Sequence, residues 1–217
     1  MKILTLEFSS DHRSVAIGFN SQILGYEEDN SLPGASAFAL IDSVLHQAGC
    51  NREEVECVSV GIGPGSYTGI RIAISIAQGW QIARGVKLLG ISSVECAAAK
   101  LALSGAAGKY RILVDAQRGE FYSADFDISN GKHIQKSELK IVSAEEAKNT
   151  GDEKIIIAGA DLDKDMFPSQ FQSVPDAKTL YFLSCERLDF VDGERLEPIY
   201  LRPISFVKAP PPRIINV

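Results

Sequence analysis

The feature that most constrains this chain is an order of elements that occurs twice. In the first half, ILTLEF (residues 3–8), SVAIGF (14–19) and QILGYEE (22–28) are short segments joined by tight polar turns, which predicts three strands of a meander. After Pro33 and Gly34 the spacing changes to Phe38, Leu40, Ile41, Val44, Leu45 and Ala48, an i, i+3, i+4 stripe that Gly49 ends, so a helix over 36–48 is expected. ECVSVGI (56–62) follows as a buried strand, 67–84 as a long helix stopped by Gly85, KLLGIS (87–92) as a strand, and 93–103 as an Ala-rich helix ending at Gly105. The second half opens with YRILVDA (110–116), EFYSADF (120–126) and HIQKSELKIV (133–142), three more meander strands. Ser143 and Glu146 form a capping box for a short helix. KIIIAGA (154–160) reads as a buried strand and 177–190 as a helix with Leu180, Leu183 and Leu188 on its apolar side. Each half runs strand, strand, strand, helix, strand, helix, although the residues themselves do not repeat.

This order predicts an α/β protein with an actin-like (ribonuclease H-like) fold, built as two lobes, each a mixed sheet with flanking helices. The lobes are expected at residues 1–105 and 106–217. The tail from Asp192, with Pro198, Pro203 and Pro210 to Pro212, is expected to pack back as an irregular strap rather than a long helix.

Composition narrows the function. No apolar run approaches the roughly 20 residues of a membrane span, and MKILTLEFSSDHR lacks the core of a signal peptide, so no membrane and a cytoplasmic address are expected. Cys50, Cys57, Cys96 and Cys185 are far apart and read as buried thiols. No metal site is expected, because His12, His46 and His133 are isolated, surface or helix-face residues. A net charge of −6 argues against a chain that grips nucleic acid alone, since phosphates demand clustered Lys and Arg.

GIGPGSYTGIRI (61–72) sets strand, glycine loop and helix in the order of an anion cradle. Its letters fit no phosphate or nucleophile fingerprint: Ser66-Tyr67-Thr68 replaces Gly-Lys-Ser/Thr, Ser66 stands where a dinucleotide loop needs glycine, and Pro64 and Thr68 spoil a nucleophile elbow. A structural loop is preferred, with Gly63, Gly65 and Ser66 kept as candidate nucleotide or anion contacts. In nucleotide-using actin-like proteins the first hairpin carries a metal-binding Asp and a glycine, whereas here Glu7 takes the acid's place and the turn has no glycine. The second hairpin, DAQRGE (115–120), keeps an acid and a glycine, so Asp115 and Arg118 are the other candidate contacts. An ordinary polar hairpin would look the same.

The helix at 67–84 is apolar around most of its circumference, with a narrow polar stripe at Arg71, Ser75 and Gln78. Either a neighbouring helix of the same lobe covers the excess or another chain does, and the second reading is preferred. Gly69, Ala73 and Ala77 form an i, i+4 row that admits a second helix closely, Ile76 lies beside them, and Trp80 would be an anchor.

GPGSYTGIRI (63–72), DAQRGEFY (115–122), AGAD (158–161) and PIYLR (198–202) resemble, in order and spacing, the motifs of the TsaB family, also called YeaZ. The resemblance spans nearly the whole chain. It implies the actin-like two-lobe fold and a place in the bacterial formation of threonylcarbamoyladenosine beside the tRNA anticodon. It further implies a non-catalytic scaffold and activator without a cofactor, while a TsaD-like paralogue holds metal and nucleotide and transfers the group. Such subunits form a homodimer, or dimerise with TsaD, through the first two helices, here 36–48 with Leu40 and Val44, and 67–84. A TsaE-like ATPase then docks, and tRNA is reached only through the complex. The chain departs from the family pattern at Glu7, where Asp is general, and at Ser31-Leu32-Pro33-Gly34, where a His-Ser pair is frequent. The competing reading is an enzyme, a small actin-like ATPase or a glycoprotease-type peptidase.

Overall fold

A computed structural model describes residues 1–29, 36–159, 166–167 and 171–202. The expectations for Ser31 to Gly34, for Ala160 and Asp161 and for the prolines from Pro203 onward lie outside the described residues.

β1 (Ile3–Glu7), β2 (Arg13–Phe19) and β3 (Gln22–Asp29) form the predicted antiparallel meander, and β4 (Cys57–Gly61) and β5 (Lys87–Ile91) extend it in parallel, giving the order β3-β2-β1-β4-β5. The second sheet is built from β6 (Gly108–Asp115), β7 (Glu120–Ser129), β8 (Lys132–Gln135), β9 (Lys140–Ser143), β10 (Lys154–Ile157) and β11 (Phe171–Gln172), with path β11-β10-β6-β7-β8. Read from its meander end, it has the same order and sense as the first: antiparallel strands on one side, parallel on the other. The two mixed sheets with flanking helices are the actin-like fold expected.

Two elements differ from expectation. The single strand at 133–142 is two, β8 and β9, which pair with opposite ends of β7. The reason lies at Asp125: its N–H is taken by the Ser137 hydroxyl (2.8 Å), and Lys136 N–H goes to the Asp125 carbonyl (2.8 Å), which interrupts the ladder. The last helix, α5 (Ala177–Cys185), is shorter than 177–190. Arg187 has turned away to pair with Glu95, and Leu188 is 86% exposed, so it lies on no core face.

α1 (Ala37–Gln47) and α2 (Tyr67–Arg84) cover one face of the first sheet, where Leu40, Ile41 and Val44 meet Leu4, Leu6 and Val15. α3 (Ser93–Leu103), although it follows β5, packs on the second sheet through Val94, Ala97, Ala98 and Ala102. α5 crosses back to the free face of the first sheet, where Tyr181 joins Ile3, Cys57 and Leu89. α4 (Ala144–Lys148) starts at the Ser143–Glu146 capping box, and its Ala147 joins Leu113, Phe121 and Ile157 on the far face of the second sheet. The strap also returns to the first half: Val191 bridges to Leu88, and Ile199 N–H donates to the Ile62 carbonyl at 2.9 Å. A cut at 105/106 separates the strands of the two sheets but not their helices. Cys50, Cys57 and Cys96 are buried as expected, whereas Cys185 is exposed because α5 ends there with its last residue turned outward.

Leu180 is fully buried between α5 and α3, against Ile91 and Cys96. Leu180→Ala is expected to destabilise the protein by about 2–5 kcal/mol. Because each sheet is capped by a helix from the other half, urea denaturation followed by fluorescence and by circular dichroism should still show one coincident transition.

Candidate functional site

The glycine loop lies against the first hairpin rather than around an open space. Ser66 N–H donates to the Ser9 carbonyl (2.6 Å), and the Ser66 hydroxyl accepts from Gly69 N–H as the N-cap of α2. A Cβ on Gly65 would sit 2.0 Å from Ser9 O, and one on Gly69 2.0 Å from Phe8 O, so these glycines permit contact between backbones. The Gly63 carbonyl accepts from Ser93 N–H at 2.8 Å. Two of the N–H groups at this helix start, those of Ser66 and Gly69, are thus spent within the protein.

Glu7 is fully buried behind this loop. Its carboxylate accepts from Ser9 N–H (2.8 Å) and from the Ser93 hydroxyl (3.1 Å), tying β1 to the start of α3. Gly61 must lack a side chain for this, since a Cβ there would lie 2.0 Å from Glu7 Oε2. Burial pushes the Glu7 carboxyl above its ordinary 4.5, with the Ser9 and Ser93 hydrogen bonds opposing.

The cleft between the lobes has a volume of about 680 Å³. Gly65, Ser66, Asp115 and Arg118 line it together, with Ser9, Asp11 and Tyr122, while Gly63 is not part of its wall. Asp115 is committed to its own turn, accepting from Gln117 N–H (2.7 Å) and from the Gln117 amide (3.0 Å). The turn is strained, with positive φ at Gln117 and Arg118. Arg202 of the strap holds it by donating to the Ala116 carbonyl (2.9 Å) and to Glu120 (2.6 Å). Motif reading singled out the segment containing Arg202 but not this role, which depends on the strap crossing from one lobe to the other.

On the other side of α2 lies a groove of about 970 Å³ between α1 and α2. Ile72, Ile76 and Trp80 line it, partly buried, with Phe38 of α1, which is 57% exposed. The row Gly69, Ala73, Ala77 does not face it. All three are buried against the protein's own sheet, as are Leu40 and Val44 of α1. Small residues do allow close approach here, but what approaches is the protein's own first sheet and the Phe8 carbonyl just past β1, not a second chain. A parallel row of small residues, Ser75, Gly79 and Ala83, lines the groove instead, and a Cβ on Gly79 would meet nothing. Phe38 and Ile72 were legible as apolar positions, but only packing reveals which of the two rows is turned outward.

A family model described as "TsaD: tRNA N6-adenosine threonylcarbamoyltransferase" matches residues 35–172, well over half of the 217. The "tRNA threonylcarbamoyladenosine biosynthesis protein TsaB" of Escherichia coli (strain K12) is 24% identical over 227 residues, covering 93% of this chain and 95% of that protein. The chain belongs to this family, in its TsaB/YeaZ group. The protein of the same description from Bacillus subtilis (strain 168) is 26% identical over 183 residues, 76% of this chain and 78% of its own. Among solved structures, "YeaZ from Pseudomonas aeruginosa" superposes with a TM-score of 0.77 at 23% identity, covering 92% of this chain and 100% of that one. A second Pseudomonas aeruginosa structure, described as having "similarity to peptidase YEAZ", gives 0.77 at 24% identity, over 93% and 99%. These two likenesses show the fold.

Against the TsaB/YeaZ pattern, the Glu7 departure has a physical consequence in stability. A carboxyl whose folded pKa is raised binds its proton more tightly in the native state, so its contribution is present below pH 4.5 and is lost as pH rises above it. Glu7→Gln preserves an acceptor for Ser9 and a donor for Ser93. It is expected to flatten the fall in unfolding free energy between pH 4.5 and neutrality relative to the wild type, measured by denaturant titration across that range. An unchanged slope would refute the assignment.

Proposed function

We propose that this chain is a non-catalytic scaffold and activator subunit in the biosynthesis of tRNA threonylcarbamoyladenosine. It dimerises with a TsaD-like catalytic paralogue through the outward faces of α1 and α2. The names of its TsaB relatives support the pathway. The observation that carries the docking face is the groove: Ile72, Ile76 and Trp80 of α2, with Phe38 of α1, present apolar surface on helices whose opposite faces already cover the sheet. Partly open Trp and Phe side chains of this kind are typical interface anchors, each worth about 2 kcal/mol or more when a partner completes their burial. A TsaE-like ATPase joins the pair, a homodimer forms in the paralogue's absence, and tRNA is held through the complex in the cytoplasm. The net charge of −6 supports that indirect role.

A second reading attaches to the interlobe cleft. Arg118 lines it, and a small anion or nucleotide contributed by the assembled complex would meet that guanidinium beside Ser66. The alternative, an ATPase or peptidase acting alone, requires the lone protein to bind and turn over substrate. Calorimetric titration with ATP and magnesium separates the two, since micromolar binding by the lone chain would favour the enzyme.

Trp80→Glu and Ile76→Glu are expected to weaken binding to the paralogue about 100-fold or more, because each buries an unpartnered charge at the interface. Both should leave the melting temperature near wild type. Ala77→Glu is expected to fail differently, by loss of the fold, because Ala77 is fully buried against the sheet. Wild-type binding by Trp80→Glu would show that the docking face lies elsewhere.

A further inference from the structure

One flank of α2 holds the strap. The Gln78 side chain donates to the Gly193 carbonyl and the Gln81 side chain accepts from Gly193 N–H, both at 2.7 Å. Leu196 is buried in the core of the first sheet, and Ile199 N–H donates to the Ile62 carbonyl. Tyr200 is then caught from the side: Arg71 Nε donates to its hydroxyl at 2.8 Å, and the Arg71 guanidinium lies 4.0 Å from the centre of the Tyr67 ring. The two tyrosine rings are 6.0 Å apart. Arg71 lines the groove, Tyr200 lines the cleft and Tyr67 lines both, so this trio is a wall that the two spaces share. Two residues further on, Arg202 reaches the second hairpin, bonding the Ala116 carbonyl, Glu120 and, at 3.4 Å, the Gln117 carbonyl. That turn needs a hold. Gln117 and Arg118 stand at φ of 65° and 60°, in the left-handed region that glycine and asparagine tolerate best. The β2–β3 and β7–β8 turns put Asn20 and Asn130 at such positions. Here the left-handed pair is held instead by Asp115 from within the hairpin and by Arg202 from the strap.

We propose that the strap couples the groove to the cleft: the placing of Arg71 at the groove edge sets the turn at 117–118, and with it the presentation of Arg118 to the cleft. The two states are a seated strap over a left-handed turn and a strap lifted at 200–202 over a relaxed one. Arg71 and Arg202 are positioning residues. An occupant of the groove that covers Arg71 excludes water from its bond to Tyr200, which strengthens that bond and favours the seated state. Only this last step rests on the docking face assigned above.

Amide hydrogen exchange on the intact chain, followed by NMR, reads the turn through Gln117 N–H, bonded to Asp115, and Glu120 N–H, bonded to the Gln117 carbonyl. Tyr200→Phe removes the hydroxyl that Arg71 holds and changes no residue of the groove. It is expected to speed exchange at those two amides roughly fivefold, the factor that one net hydrogen bond carries, and Arg202→Ala about tenfold or more. Amides within α2, such as those of Ile74 and Ala77, should keep the wild-type rate and report any global opening. Saturation with the purified paralogue should slow both turn amides several-fold in the wild type and leave them unchanged in Tyr200→Phe. A turn indifferent to Tyr200→Phe, an acceleration shared equally by the α2 amides, or equal slowing by the paralogue in both proteins would overturn the proposal, as would a bound paralogue that leaves the wild-type turn unaffected. Absence of any binding to the paralogue would overturn the scaffold reading instead. The response of the turn to the two substitutions would still decide whether the strap transmits.

Discussion

The architecture depends on the anchoring of α5 across the first sheet. Ala177, the first residue of that helix, has its N–H bonded to the Ser14 hydroxyl (2.9 Å) and its carbonyl to the Thr5 hydroxyl (2.8 Å), both buried on the first sheet. Asp176 caps the same helix and pairs with Lys100 of α3 at 2.7 Å. Burial raises the Asp176 carboxyl, yet Lys100 and the cap N–H together hold it below its ordinary 3.8. A helix from the second half is thereby fastened to the sheet of the first, while α3 makes the reciprocal crossing. Each sheet keeps its own core, and these two crossings join them.

α2 has a distinct task on each side. Inward, Gly69 meets the Phe8 carbonyl just past β1, Ala73 and Ala77 lie in the core of the first sheet, and the glycine loop that precedes the helix is pressed on the Ser9 carbonyl. Outward, bulky and small residues alternate between arginines. The loop that has the setting of a phosphate cradle positions this helix: Ser66 N–H donates to the Ser9 carbonyl, and the Ser66 hydroxyl caps the helix by accepting from Gly69 N–H. Glu7 is a buried tie between β1 and α3.

Much of this was legible in the sequence, and the limits have physical causes. The meander strands, the helices over 37–47, 67–84 and 93–103 and the capping box at Ser143 follow from periodicity and local hydrogen bonding, which neighbouring residues decide among themselves. The break between β8 and β9 did not, since it hinges on one hydroxyl, that of Ser137, meeting the Asp125 N–H across the strand. The end of α5 at Cys185 did not either, because Arg187 is drawn off by Glu95, 92 positions away. Of the candidate contacts, Gly65, Ser66, Asp115 and Arg118 come together around the cleft, which only the tertiary structure shows.

The partner face marks the division most sharply. Sequence by itself determined that α2 is too apolar for one buried face and that it carries small residues at close-packing spacing, because composition and period are properties of the segment alone. Which of its two small-residue rows meets the sheet and which faces out was decided by the tertiary structure. That choice rests on the rotation of the helix about its axis, fixed where Gly69 and the preceding loop meet Phe8 and Ser9, just past β1 and some 60 positions earlier. Periodicity reports that a stripe exists, and only the packed sheet says where it points.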